Sequence, residues 1–125
     1  MKQHTTQWVR KAEEDIHVAR ALARQARPPR NAVCFHAQQA AEKYLKALVQ
    51  EIGTAVPRSH DLILLLDLLL PHDSTLGPLR RGLARLTKYA VDYRYPGLWA
   101  TKRQMDSALK LSERVRKEIR TRLAL

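Results

Sequence analysis

A chain of 125 residues, 45% of them hydrophobic, is the size of one domain, and at that length folding buries about two-thirds of the surface that the unfolded chain exposes. Its 23 Lys and Arg against 12 Asp and Glu leave a net charge of +11, a field that favours nucleic acid or nucleotides, with an acidic partner protein as the other reading. The single cysteine excludes an intrachain disulfide framework, and four glycines and six prolines without a low-complexity run leave no linker or repeat to divide the chain.

The opening stretch, Met1 to Gln7, is polar and has no apolar core of a signal peptide, so a cytoplasmic protein is expected. Thr5 or Thr6 is placed to cap a first helix whose apolar side is Trp8, Ala12, Ile16, Ala19, Ala23 and Ala26. Pro28 and Pro29 stop it, since proline lacks the amide donor and clashes with the preceding turn.

The second helix has the sharpest pattern in the chain. Val33, Ala37, Ala40, Ala41, Tyr44, Leu48 and Ile52 recur at helical spacing on one side, and His36, Gln39, Lys43, Lys46 and Gln50 on another. Asn31 is its expected cap and Gly53 its end. The alanines let a neighbouring helix approach closely, which makes this helix the spine of a bundle. His36, Gln39 and Lys43 place imidazole, amide and ammonium on one face. Such a stripe suits phosphate and base edges, and it equally suits a solvated face or a clamp on a neighbouring segment. Cys34, inside the apolar pattern, reads as a small buried hydrophobe.

Ser59 is placed to cap a third helix in which Asp67 alone interrupts the apolar run from Leu62 to Leu70. The run is far short of the ~20 residues that span a bilayer, so no membrane role is expected. One face meets the spine, and the other needs a cover from the same chain and from a second copy, so a homodimer is expected. After Pro71 and a loop rich in turn residues, Leu76, Leu79, Leu83, Leu86 and Ala90 mark a fourth helix. Its outer side carries Arg80, Arg81, Arg85 and Lys88, a candidate nucleic-acid face.

Asp92-Tyr93-Arg94-Tyr95-Pro96-Gly97 breaks the helical pattern. An arginine between two aromatic rings can grip a phosphate and stack a base, so Asp92, Tyr93, Arg94 and Tyr95 are candidate ligand residues. The structural alternative pairs Arg94 with Asp15 or Asp61 while the tyrosines plug the end of the bundle. Thr101 caps the last helix, with Met105, Ala108, Leu109, Ser112, Val115, Ile119 and Leu123 inward. Its other side holds Lys102, Arg103, Lys110, Arg114, Arg116, Lys117, Arg120 and Arg122. Nothing alternates with period two, so the fold expected is all-α, an up-and-down bundle of four to five helices in one domain, 1–125. The five histidines are scattered without the spacing that puts metal ligands on one helical face, and no glycine-rich phosphate loop is present. No metal or cofactor is expected.

Phe35-His36-Ala37-Gln38-Gln39-Ala40-Ala41-Glu42-Lys43-Tyr44-Leu45-Lys46-Ala47-Leu48, then Gly53, His60-Asp61-Leu62 and Arg94-Tyr95-Pro96, resembles the HEPN domain family (higher eukaryotes and prokaryotes nucleotide-binding) from Trp8 to about Ile119. The resemblance implies a small helical domain, often dimeric, tied to nucleotide or RNA chemistry and often encoded beside a minimal nucleotidyltransferase, as in toxin–antitoxin modules. Ribonucleolytic members carry Arg, four to six residues, then His in the later half of the domain. Here no histidine follows His72; Arg30 to His36 and Arg10 to His17 have the spacing, at the wrong place. A metal-independent ribonuclease toxin, with His36 and Arg94 as its candidate catalytic pair, is therefore an alternative. A non-catalytic protein-interaction module is a further one.

Overall fold

The computed structural model describes residues 1–125, which form five α-helices and no strand: α1 Gln3–Ala23, α2 Arg30–Glu51, α3 Leu62–Leu69, α4 Arg80–Asp92 and α5 Lys102–Arg122. A 3₁₀ turn, Ser74–Leu79, leads into α4. α2 is the spine. α1 runs antiparallel along it, tied at one end where the Lys2 backbone N–H and Thr5 Oγ1 donate to Glu51 Oε1 at 3.0 and 2.9 Å. α5 lies along another side, where Ser112 Oγ donates to the Ala37 carbonyl at 2.7 Å. α3 and α4 cover the remainder. Ala12 and Ala19 of α1, Ala37, Ala41 and Ala47 of α2, and Ala108 of α5 stand in the core, so small side chains at the seams set how closely these backbones approach.

α2 ends as its sequence requires. Gly53 adopts φ +83°, the Thr54 N–H reaches the Val49 carbonyl and the Gly53 N–H the Gln50 carbonyl, which is the Schellman arrangement. Thr101 and Gln104 form a capping box at the start of α5. The other caps differ from expectation. α1 starts at Gln3 after Lys2, so Thr5 lies inside the helix, fully buried against Glu51 rather than capping, and Thr6 bonds back to the Lys2 carbonyl. α2 starts at Arg30, one residue before Asn31, whose side chain is used elsewhere. Asp61 caps α3 by accepting from the Ile63 and Leu64 N–H groups, while Ser59 Oγ accepts from the Asp61 N–H. Thr5 and Asn31 are spent on longer-range partners, whereas Ser59 serves Asp61, the residue that caps α3.

α3 also departs from expectation in how much of it is covered. Leu62, Leu65, Leu66 and Leu69 lie in the core of the same chain, Ile63, Leu68 and Leu70 pack partly against it, and only Leu64 is exposed. The fourth helix and the 3₁₀ turn supply most of the cover that a second copy was expected to share. The face of α1 holds at Ala12, Ile16 and Ala19, but the helix ends at Ala23 and Ala26 is exposed.

Ion pairs join α1 to α5. The Glu13 carboxylate accepts from Arg116 Nη2 at 2.8 Å and Arg120 Nη1 at 3.0 Å, and Arg20 Nη2 donates to Glu113 Oε2 at 2.7 Å. Hydrogen bonds from Arg116 hold the Glu13 carboxyl below its ordinary value of 4.5. A depressed folded-state pKa contributes stability that is present above the ordinary carboxylate range and is lost as pH falls through the folded value. Because the pair is partly solvated, its contribution is about 1 kcal/mol or less. Glu13→Gln is expected to lower Tm by a few degrees at pH 7 and to narrow the gap between melting at pH 7 and at pH 3, both measurable by calorimetry.

Candidate nucleic-acid interface

The charge of α5 divides between two faces. Arg116, Arg120 and Arg122 are consumed by Glu13, Asp73 and Glu118. Arg103, Lys110, Arg114 and Lys117, on the opposite side, have no acidic partner, and with Arg85 of α4 they line an open groove of about 850 Å³. The acids of that groove are answered from outside it: Asp106 by Lys102 at 2.7 Å, Glu113 by Arg20 and Glu118 by Arg122. From Arg103 to Lys117 the cations extend over ~21 Å of helix. Gly82 lets α4 close on α5, since a Cβ there would stand 2.7 Å from Leu111 Cδ2. Leu111 forms the apolar part of the groove wall.

Of the four cations expected on α4, Arg85 lines the groove and Arg81 and Lys88 are exposed and unpaired. Arg80 instead donates to Asp67 Oδ1 at 2.6 Å. The exposed cations of α5 were legible as one side of a helix. What separated them from Arg116, Arg120 and Arg122 was chiefly the position of Glu13 and Asp73, which lies beyond local pattern; only the Glu118–Arg122 pair, four residues apart on α5, is local.

The loop between α4 and α5 is held from the start of α2. Asn31 Oδ1 accepts from the Ala100 N–H at 2.9 Å, and Asn31 Nδ2 reaches the carbonyls of Tyr93 and Leu98 at 3.5 and 3.4 Å. Tyr93 turns inward and stacks on Tyr89 with ring centroids 6.1 Å apart, so it is a packing residue. Asp92, the last residue of α4, is half-buried. Arg94 pairs with neither Asp15 nor Asp61; its guanidinium lies 5.7 Å from the Phe35 ring centroid. Tyr95 is 64% exposed and Trp99, which sequence pattern did not single out, 77% exposed.

His36, Gln39 and Lys43 do share a face, and α1 closes over it. His36 Nδ1 lies 2.9 Å from Asp15 Oδ1, Lys43 Nζ pairs with Asp15 Oδ2, and Gln39 Nε2 donates to Gln38 Oε1 at 2.8 Å. The imidazole and the ammonium of the stripe thus both face the one buried carboxylate of Asp15, the arrangement of a clamp between α1 and α2. His36 and Arg94 both lie against Phe35, the His36 ring edge-on at 5.2 Å between centroids and the Arg94 guanidinium at 5.7 Å, and no hydrogen bond joins the two. Burial pushes the Cys34 thiol up to about 11, which keeps it protonated and unreactive at neutral pH. No helix is long and apolar enough to cross a membrane.

Asn31→Ala removes the side-chain hydrogen bonds that tie the loop to α2. Amide exchange at Leu98 to Ala100 is expected to accelerate at least about tenfold while α2 and α5 stay protected, as read by hydrogen-exchange mass spectrometry.

The HEPN domain family model matches residues 5–122 of the chain. Among solved structures, the fold is similar to TT1696 from Thermus thermophilus, with a TM-score of 0.81 and 24% identity over 96% of this chain and 98% of that one. It is also similar to ST0689, described as an archaeal HEPN homologue, with a TM-score of 0.78 and 25% identity over 98% of both chains. No curated protein matches the sequence.

Proposed function

Because the chain belongs to the HEPN domain family, we propose that it is a binding module for RNA or a nucleotide, working as a homodimer with a nucleotidyltransferase-type partner in a toxin–antitoxin-like pair. The observation that carries the binding reading is the α4/α5 groove, where five cations without acidic partners lie beside a loop that exposes Tyr95 and Trp99. An open, positively charged groove whose two helices are joined by a loop with exposed aromatic rings suits a single strand better than a duplex. Phosphates track the cations, and a splayed base stacks on an exposed ring for about 1–3 kcal/mol. The homodimer and the partner rest on the family resemblance. α3 leaves only Leu64 exposed, so the second copy is better placed on Phe35, Val91 and Leu98, exposed where α2 begins and α4 ends.

The ribonuclease alternative is ranked lower because transfer to a ribose 2′-hydroxyl needs a proton acceptor and a cation at one phosphate. No histidine follows His72, so the late Arg–His spacing of ribonucleolytic members is missing, and no hydrogen bond brings Arg94 to His36, whose Nδ1 faces Asp15.

Fluorescence polarisation with a labelled single-stranded RNA is the test. Affinity is expected to fall with salt at a log-log slope of about −0.7 per phosphate contact, reaching roughly −3.5 if all five cations act. Arg85→Glu with Arg114→Glu should flatten that slope, Trp99→Ala should weaken binding about tenfold with the slope unchanged, and the RNA should remain intact in metal-free buffer. Binding that ignores salt, or none to any RNA or nucleotide, would favour the protein-interaction module. Cleavage lost on His36→Ala with affinity retained would favour the ribonuclease.

For assembly, light scattering should give a dimer that Leu98→Glu converts to a monomer. Leu65→Glu would instead unfold the protein, since Leu65 is fully buried in its own chain.

A further inference from the structure

At the other end of α2, ~28 Å of helix from the Asn31 anchor, lies a second cleft built differently from the groove. It holds about 420 Å³ and is lined by His4, Gln7, Trp8 and Lys11 of α1, Lys46 and Gln50 of α2, and Val56, Pro57 and Arg58 of the following connection. That volume falls in the range of small-molecule sites, about 300–1,000 Å³. No acidic side chain lines it, and Lys11, Arg58 and His4 have no ionic partner.

One of its cations is fixed in place. The Lys46 side chain is only 7% exposed; its Nζ donates to Glu42 Oε2 at 3.1 Å and sits 5.4 Å from the centroid of the Trp8 ring. Glu42 is in turn held by His60 Nδ1 at 2.9 Å and by Gln38 Nε2 at 3.5 Å. The Glu42 carboxylate thus fixes Lys46 under the tryptophan at no cost to the positive charge of Lys11 and Arg58. Trp8, Val56 and Pro57 supply apolar wall, and the Gln7 and Gln50 amides offer donors and acceptors beside it.

We propose that this cleft binds a small planar anion, an aromatic ring bearing a phosphate or a carboxylate. The ring lies against Trp8, Val56 and Pro57, and the anionic group is held by Lys11 and Arg58. The site is separate from the α4/α5 groove, and no residue lines both.

Trp99→Phe leaves Trp8 as the single tryptophan, so its emission reports this cleft directly. Adenosine monophosphate, an aromatic carboxylate such as salicylate, adenosine and inorganic phosphate are titrated separately. A saturable change with a Kd below about 1 mM is expected for at least one of the two aromatic anions, which also identifies the anionic group. Adenosine and inorganic phosphate should bind at least about tenfold more weakly, because each supplies half of the recognition. Lys11→Glu and Arg58→Glu, both at exposed positions, should each weaken binding about tenfold or more with circular dichroism and Tm unchanged. The proposal is overturned by no saturable response to either aromatic anion, by equal binding of inorganic phosphate, or by unchanged affinity in both charge-reversal variants. None of these outcomes bears on RNA in the groove, since neither substitution touches it.

Discussion

The burial of α2 on nearly every side is the constraint on which the other features depend. Thirteen of its residues are buried, and three of them, Gln38, Glu42 and Lys46, are polar or charged. A polar group cut off from water and left unpaired costs roughly 1–3 kcal/mol, more if charged, so each must find a partner inside the bundle. Glu42 collects Lys46, His60 and Gln38; Asp15 of α1 collects His36 and Lys43. Two carboxylates thereby dispose of most of the polar chemistry on the helix that reads as the most chemically equipped in the chain. They also fix the register of α1 and of the connection before α3 against the spine.

That disposal determines where function can reside. The family motif on α2 is rich in groups that could bind phosphate, yet its His36 and Lys43 are turned to holding the fold together. Cations without an acidic partner line two depressions of the surface: the outer face of α5 with Arg85, and the cleft by Trp8. The first extends over ~21 Å of α5, and the second holds about half its volume. Their extent distinguishes them more clearly than their charge does, because both are basic.

Asn31 shows how one side chain couples fold and site. As a cap it would have served only α2; the cap falls two residues earlier, on Pro29, and the Asn31 amide is released to span the α4–α5 loop. The loop's conformation, and with it the exposure of Tyr95 and Trp99, is therefore decided by a residue more than sixty positions away in sequence.

The sequence by itself determined the all-helical class, most of the core positions of α1, α2, α4 and α5, the Gly53 and Thr101 boundaries, and the family, because helical periodicity, caps and a motif are local and survive without knowledge of neighbours. It also located the cations of α4 and α5 on outward faces. It did not separate Arg114 and Lys117, which are free, from Arg116 and Arg120, which are bound, since the two sets differ only in whether Glu13 stands opposite. Nor did it show that α3 is largely covered by its own chain, that His36 and Lys43 face Asp15, or that Trp8 and Lys46 wall a cleft with Arg58. Each of these depends on which helix packs against which and at what register, and a partner dozens of residues away leaves no mark on the local pattern. The tertiary structure alone decided them, because a charge is free or spent according to what the folded chain places within about 4 Å of it.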